Sequence, residues 1–239
     1  MVKEIIKNKE TFTSPQFQLI SDNFVNLKKH LEILNIKEVD GFLFDLGLSS
    51  SQLSAEKRGF SYRLNSPLDM RINQESELQA EEIINNYPQE ELADIFYHYG
   101  EERKARLIAR KICYWRQKKK ITNTQQLVGI ITSCFPKKKN KKHPARKVFQ
   151  ALRIYINKEL ENLHQVLEVA IKYLAPKGRI VVISYHSLED RIVKQMFKKC
   201  NSLSDFQMIN KKPFTPSREE IEINYKAHSA KMRVLEKNN

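Results

Sequence analysis

DGFLFDLGLSSSQL, from Asp40 to Leu53, is the stretch on which the reading of this chain turns. GFLFDL is apolar throughout except for Asp45. A short continuous apolar run of this kind predicts a strand buried on both faces of a parallel sheet. The strand passes through Asp45 into LGLSSSQ, whose serines favour turns and caps over regular structure. Upstream, FQLIS (Phe17–Ser21) predicts a short strand. VNLKKHLEIL predicts a helix on its apolar positions Val25, Leu27, Leu31 and Leu34, entered through DNF. Strand, helix and strand in that order make a βαβ unit and point to an α/β fold.

Downstream the texture changes. From Ser76 to Asn140 the spacing predicts helices over Glu77–Asn86, Gln89–Tyr97, Glu101–Arg116 and Thr124–Cys134, with no strand. The third has acids at its start and bases at its end, which suits the helix dipole, and its apolar stripe runs through Leu107, Ile108, Ile112 and Trp115. Next comes the longest helical signal, ARKVFQALRIYINKELENLHQVLEVAIKYL, broken by APKG. RIVVIS (Arg179–Ser184) predicts a second buried strand. A helix follows it, capped by Ser187 with Asp190 three residues on. FQMIN and KMRVLE predict a closing strand pair. The chain divides on this reading into a core, residues 1–75 and 145–239, and a helical insertion, residues 76–144.

Lys and Arg total 42 against 28 Asp and Glu, a formal charge of +14. Such a surplus favours a polyanionic partner, nucleic acid or an anionic membrane surface. No apolar stretch reaches the roughly 20 residues of a membrane span. The N-terminus lacks the apolar segment of a secretory signal. The basic residues do not form one amphipathic helix with a bulky apolar face, which argues against the membrane surface. Cys113, Cys134 and Cys200 show no metal-ligand spacing, so no metal is expected; they read as thiols of a reducing cytoplasm.

In open parallel sheets ligands collect beyond the carboxyl ends of the strands. Two predicted strands end in polar clusters, GFLFDLGLSSSQ and RIVVISYHSLEDR, which would share one crevice. Ser49, Ser50, Ser51 and Ser187 also serve as plain turn and cap residues, and the residues alone leave both readings open. Gln150, Arg153 and Asn157 fall on one helical stripe, as do several bases of YGEERKARLIARKI. Each set is either a solvated face or a contact surface for phosphates.

DGFLFDLGLSSSQL, RGFSY, PLDMR, YGEERKARLIARKI, HPARKVFQALRIYINKEL and GRIVVISYHSLEDRIVK, in this order, resemble the bacterial small-subunit ribosomal RNA (cytosine-N4)-methyltransferase H family. The tail INYKAHSAKMRVLEK is similar to that family's C-terminus. The resemblance covers about Phe17 to Lys237. It implies an incomplete class I methyltransferase (Rossmann-like) sheet with an inserted helical domain. It also implies cytoplasmic, S-adenosylmethionine-dependent methylation of one cytidine amine in the small subunit. Phe24, Asp45 and Gln52 match cofactor contacts. Arg103, Arg106, Arg110, Lys118, Lys137, Lys141 and Arg153 are the candidate RNA contacts. Asp45 and Asp69 are the candidates for accepting the amine protons.

The chain departs from the family at its start. The glycine-rich GGH loop that holds the donor's methionine end, and the acid that holds its ribose, have no counterpart upstream of Asp45. The missing first strands leave a sheet edge uncovered. Two readings follow: an active rRNA methyltransferase, or an RNA-binding remnant with an impaired donor site. Transfer to the cytosine amine, whose lone pair is delocalised into the ring, needs in-line placement and an acceptor for its protons. It needs neither a covalent cysteine nor a metal.

Overall fold

The structure, a computed structural model, describes residues 18–48, 58–136 and 143–239. The chain forms two units: residues 1–47 with 160–239, and residues 48–159.

The first unit carries the sheet. Its strands are β1 (Val39–Asp45), β2 (Leu174–Ser184), β3 (Phe206–Met208) and β4 (Lys231–Lys237), in the order β1-β2-β4-β3. β1 and β2 are parallel, with Asp45 opposite Ile183. β4 runs antiparallel to both β2 and β3, so it is the one reversed strand of the four. The helices of this unit are α1 (Leu27–Ile33), α7 (Glu159–Tyr173, whose first residue falls in the other unit), α8 (Ser187–Asn201) and α9 (Arg218–Ile223). Leu163, Val166 and Leu167 of α7, Ile180 and Val182 of β2, Val193 and Phe197 of α8 and Leu235 of β4 form its core. Arg233 of β4, almost fully buried, donates from Nε to Asp190 of α8 at 2.7 Å, and Lys231 adds a contact at 3.2 Å. Burial opposes the charge on Asp190, but these two cations outweigh it and hold its carboxyl below the ordinary range.

The second unit is helical: α2 (Ala80–Asn86), α3 (Gln89–His98), α4 (Ala105–Lys118), α5 (Thr124–Thr132) and α6 (Arg146–Asn157). Its core joins Ile83 and Ile84, Leu92 and Phe96, Ile108 and Ile112, Leu127 and Ile131, and Val148 and Leu152, all buried. Asn123 and Gln126 form a reciprocal capping box that starts α5. α6 packs its apolar side chains into this core, so residues 145–159 cluster with the helices, as do the described residues 58–75.

Several expectations are corrected. The described part of FQLIS, residues 18–21, forms no strand. β1 is not buried on both faces: Leu43 is 69% exposed, and Phe42 and Phe44 are half-buried on the core side. An apolar run records where a strand lies but not whether both faces are covered. Among the described residues β1 has no strand neighbour on its outer edge. The long helical signal is two helices. Lys158 adopts φ 50°, ψ 40°, a left-handed conformation that ends α6 before α7 begins. APKG belongs to β2 and lies beside a register shift between Val39 and Gly41. His186 and not Ser187 caps α8, pairing reciprocally with Glu189. Trp115 is 46% exposed, because burial along α4 stops at Ile112.

Candidate functional site

The parallel pair brings the end of β1 beside the end of β2, and the polar groups gather there. Asp45 is exposed, and its Oδ1 accepts a 2.8 Å hydrogen bond from the Tyr185 hydroxyl. Oδ2 has no hydrogen-bond partner among the described residues. Burial first, then the bond to Asp45, pushes the Tyr185 phenol up to about 12, so it remains a donor at neutral pH. Gly47 follows at φ 96°, a backbone state natural to glycine, and a Cβ there would stand 3.6 Å from the Tyr185 ring.

Glu189, buried on α8, fixes the turn that carries Tyr185. Its Oε2 accepts from the backbone N–H of Tyr185 at 3.0 Å and of His186 at 3.3 Å. The His186 Nδ1 accepts from the Glu189 N–H in return. One carboxylate therefore satisfies two amides of the strand-to-helix turn and so holds Tyr185 against Asp45.

Phe24 sits in a short 3-10 turn, residues 24–26, and is 44% exposed. Asn23 caps this turn from its side chain, and Asp22 accepts from Asn23 N–H and Asn26 Nδ2. His30 lies 2.7 Å from the second Asp22 oxygen. These bonds, His30 first, hold the Asp22 carboxyl down to about 2.

In the helical unit Asp69 is fully engaged. Arg71 donates to it from Nε at 2.7 Å, from Nη2 at 3.1 Å and from its backbone N–H at 3.0 Å. Burial opposes the charge on Asp69, but the Arg71 bonds outweigh it and hold the carboxyl below the usual range. The Asp69 and Leu68 carbonyls accept from Ala80 and Glu81 at the start of α2. Asn157 closes the same loop: its amide donates to the Met70 carbonyl at 2.8 Å and its oxygen accepts from Ile72 N–H at 2.6 Å. Arg153 pairs with Glu159 at 2.8 Å and is largely buried, so neither it nor Asn157 belongs to a solvated stripe.

The bases of α4 and its approach divide in two. Lys104 donates to the Cys134 carbonyl, Lys111 to Ser133 and Arg116 to the Ile84 carbonyl. Arg103, Arg106, Arg110 and Lys118 are exposed, and the three arginines have no hydrogen bond or ion pair among the described residues. Gln52, Lys137 and Lys141 lie outside the described residues. The sequence reading missed Tyr185 and Glu189. The only signal for them was their place one and five residues past a strand end.

Polar groups beyond the carboxyl ends of a parallel pair, beside a reversed last strand, are the arrangement of a Rossmann-like methyltransferase fold, here with an incomplete sheet. The model of the MraW methylase family matches residues 2–238, and the chain belongs to that family. It is the family of small-subunit rRNA cytidine methyltransferases that the motifs resemble.

Methyltransferases of this kind generally use S-adenosylmethionine. Two of the residues present have the chemistry that such a donor would meet. Phe24 offers an exposed ring, and the Asp45 Oδ2, without a partner among the described residues, is open to the donor or to the amine it methylates. The six glycines, Gly41, Gly47, Gly59, Gly100, Gly129 and Gly178, include no G-x-G loop to cradle the methionine end. Among the described residues no helix is long and apolar enough to cross a membrane.

Proposed function

We propose that this chain methylates the N4 amine of a cytidine in small-subunit rRNA, in the free RNA or the ribosomal subunit. The observation that carries the reading is the Tyr185–Asp45 pair at the end of the parallel strands, within a chain of the MraW methylase family. S-adenosylmethionine would supply the methyl group as a sulfonium. The chain's residues would do the rest. Tyr185 holds one oxygen of Asp45, which aims the other outward. That oxygen can accept a hydrogen bond from the bound substrate and relieve positive charge developing on nitrogen. Glu189 keeps the turn in place. The target base has to leave its stack to reach such a site, and the exposed bases of α4 would bind RNA phosphates.

The test is transfer of labelled methyl from S-adenosylmethionine to small subunits that lack the modification, with nucleoside mass spectrometry as readout. N4-methylcytidine formed by the intact chain and lost in Asp45→Ala supports the reading. Absence of transfer by folded protein that binds the subunit overturns it. That second outcome is the one expected of an RNA-binding remnant with an impaired donor site.

A further inference from the structure

Residues 103–120 carry nine Lys and Arg and no acid. The structure separates them: Lys104, Lys111 and Arg116 turn inward to backbone carbonyls, while Arg103, Arg106, Arg110 and Lys118 face solvent. Arg106, Arg110 and Lys118 share a helical face with Tyr114, and Arg103 lies in the turn before the helix. Beside them stand two aromatic rings that the core does not use, Tyr114 at 54% and Trp115 at 46% exposure. The rings meet edge-on, with centroids 6.1 Å apart and planes at 84°, so neither stacks on the other. The Lys118 ammonium lies 4.3 Å from the Tyr114 centroid and 5.8 Å from that of Trp115.

We infer that this end of α4 is a stacking platform for an unpaired stretch of RNA, with Arg103, Arg106, Arg110 and Lys118 tracking its phosphates. The inference rests on the RNA reading proposed above and names how the RNA is held. Exposed rings beside cations suit single strands, whose bases are free to stack; a duplex hides its base faces. From Arg106 to Lys118 the helix rises about 18 Å, a length suited to a few nucleotides. A membrane surface would need the bulky apolar face outward, yet Ile108 and Ile112 are buried.

Trp115 is the only tryptophan, so its fluorescence reports this platform alone. The experiment titrates the full chain with a 12-mer oligouridylate, with a 12-base-pair RNA duplex, and with phosphatidylserine vesicles. The single strand should quench Trp115 and bind more tightly than the duplex. Tyr114→Ala and Trp115→Leu should each weaken an end-labelled oligouridylate about tenfold without changing the salt slope. Arg106→Ala should lower that slope by about 0.7. Circular dichroism melting checks that each variant is folded. Salt-dependent oligouridylate binding with no quenching, and full affinity in both aromatic variants, overturns the platform and leaves the RNA reading standing. Equal quenching by duplex or by vesicles overturns the choice of partner. If neither RNA binds, the platform and the proposed RNA substrate fall together.

Discussion

The Tyr185 hydroxyl donates to Asp45 at 2.8 Å, joining the ends of two parallel strands through residues 140 positions apart in sequence. Tyr185→Phe removes this donor and leaves the ring. The fold should lose about 1 kcal/mol, and methyl transfer should fall 3- to 10-fold, order-of-magnitude figures for one lost orienting bond. The Tyr185 pKa lies at about 12 against the ordinary 10. The raised value means that the bond's contribution is whole below pH 10 and disappears as pH rises through about 12. Ultraviolet titration of the phenol should show a lower value in Asp45→Ala. An unchanged value would separate the two residues.

Asp190 is predicted to be a stability residue. Asp190→Ala leaves Arg233 buried without its carboxylate, at a cost of about 3–5 kcal/mol. Lys231→Ala, at a side chain 40% exposed, should cost under about 1 kcal/mol. The folded Asp190 carboxyl titrates below its unfolded value. Its contribution is therefore present above about pH 4 and declines as pH falls through the folded value. Urea unfolding of both variants at pH 7 and at pH 3 reads this directly; the Asp190→Ala deficit should shrink in acid.

Asn157 ties the end of α6 to the loop around Asp69. Asn157→Ala should destabilise the helical unit by about 2–3 kcal/mol, since it leaves the Ile72 amide and the Met70 carbonyl without this partner. Asn157→Asp keeps the acceptor and should recover part of that loss. Chemical denaturation followed by far-ultraviolet circular dichroism distinguishes the two. Equal loss in both would remove the acceptor role.

Gly59 has φ +68°, and a Cβ there would come within 2.3 Å of the Pro67 carbonyl oxygen. Gly59→Ala should therefore cost about 3 kcal/mol, from left-handed strain and a backbone clash. Thermal melting would show the loss; a melting point within 2 °C of the parent, on the order of 0.5 kcal/mol for a chain of this size, would contradict it.

Much of the architecture could be read from periodicity. The helices of the insertion, the strand at RIVVIS and the closing strand pair all appear near their expected places, because each repeats its apolar residues over several turns or pairs. Coverage could not be read in this way. GFLFDL has the composition of a central strand, but Leu43 faces outward, and hydrophobicity does not report the neighbour that is or is not there. Trp115 keeps helical spacing with Ile108 and Ile112 yet lies beyond the last buried residue of α4. The break at Lys158 left no trace because a left-handed lysine has no compositional signature. Asp45 was legible as a strand-end acid. Its partner was not, since Tyr185 meets it only through the parallel pairing of distant strands.

That pairing also sets a timetable during synthesis. β1 leaves the ribosome complete at Asp45, but its neighbour β2 does not begin until Leu174, with the helical unit between them. At 5–20 residues per second the wait is roughly 6 to 26 s. The contiguous helical unit can finish folding in that interval, whereas β1 emerges with Leu43 and the edge that will pair with β2 open to chaperones or to other nascent chains. Slower decoding between Glu159 and Leu174 should therefore lengthen the vulnerable period of the sheet and leave the helices unaffected.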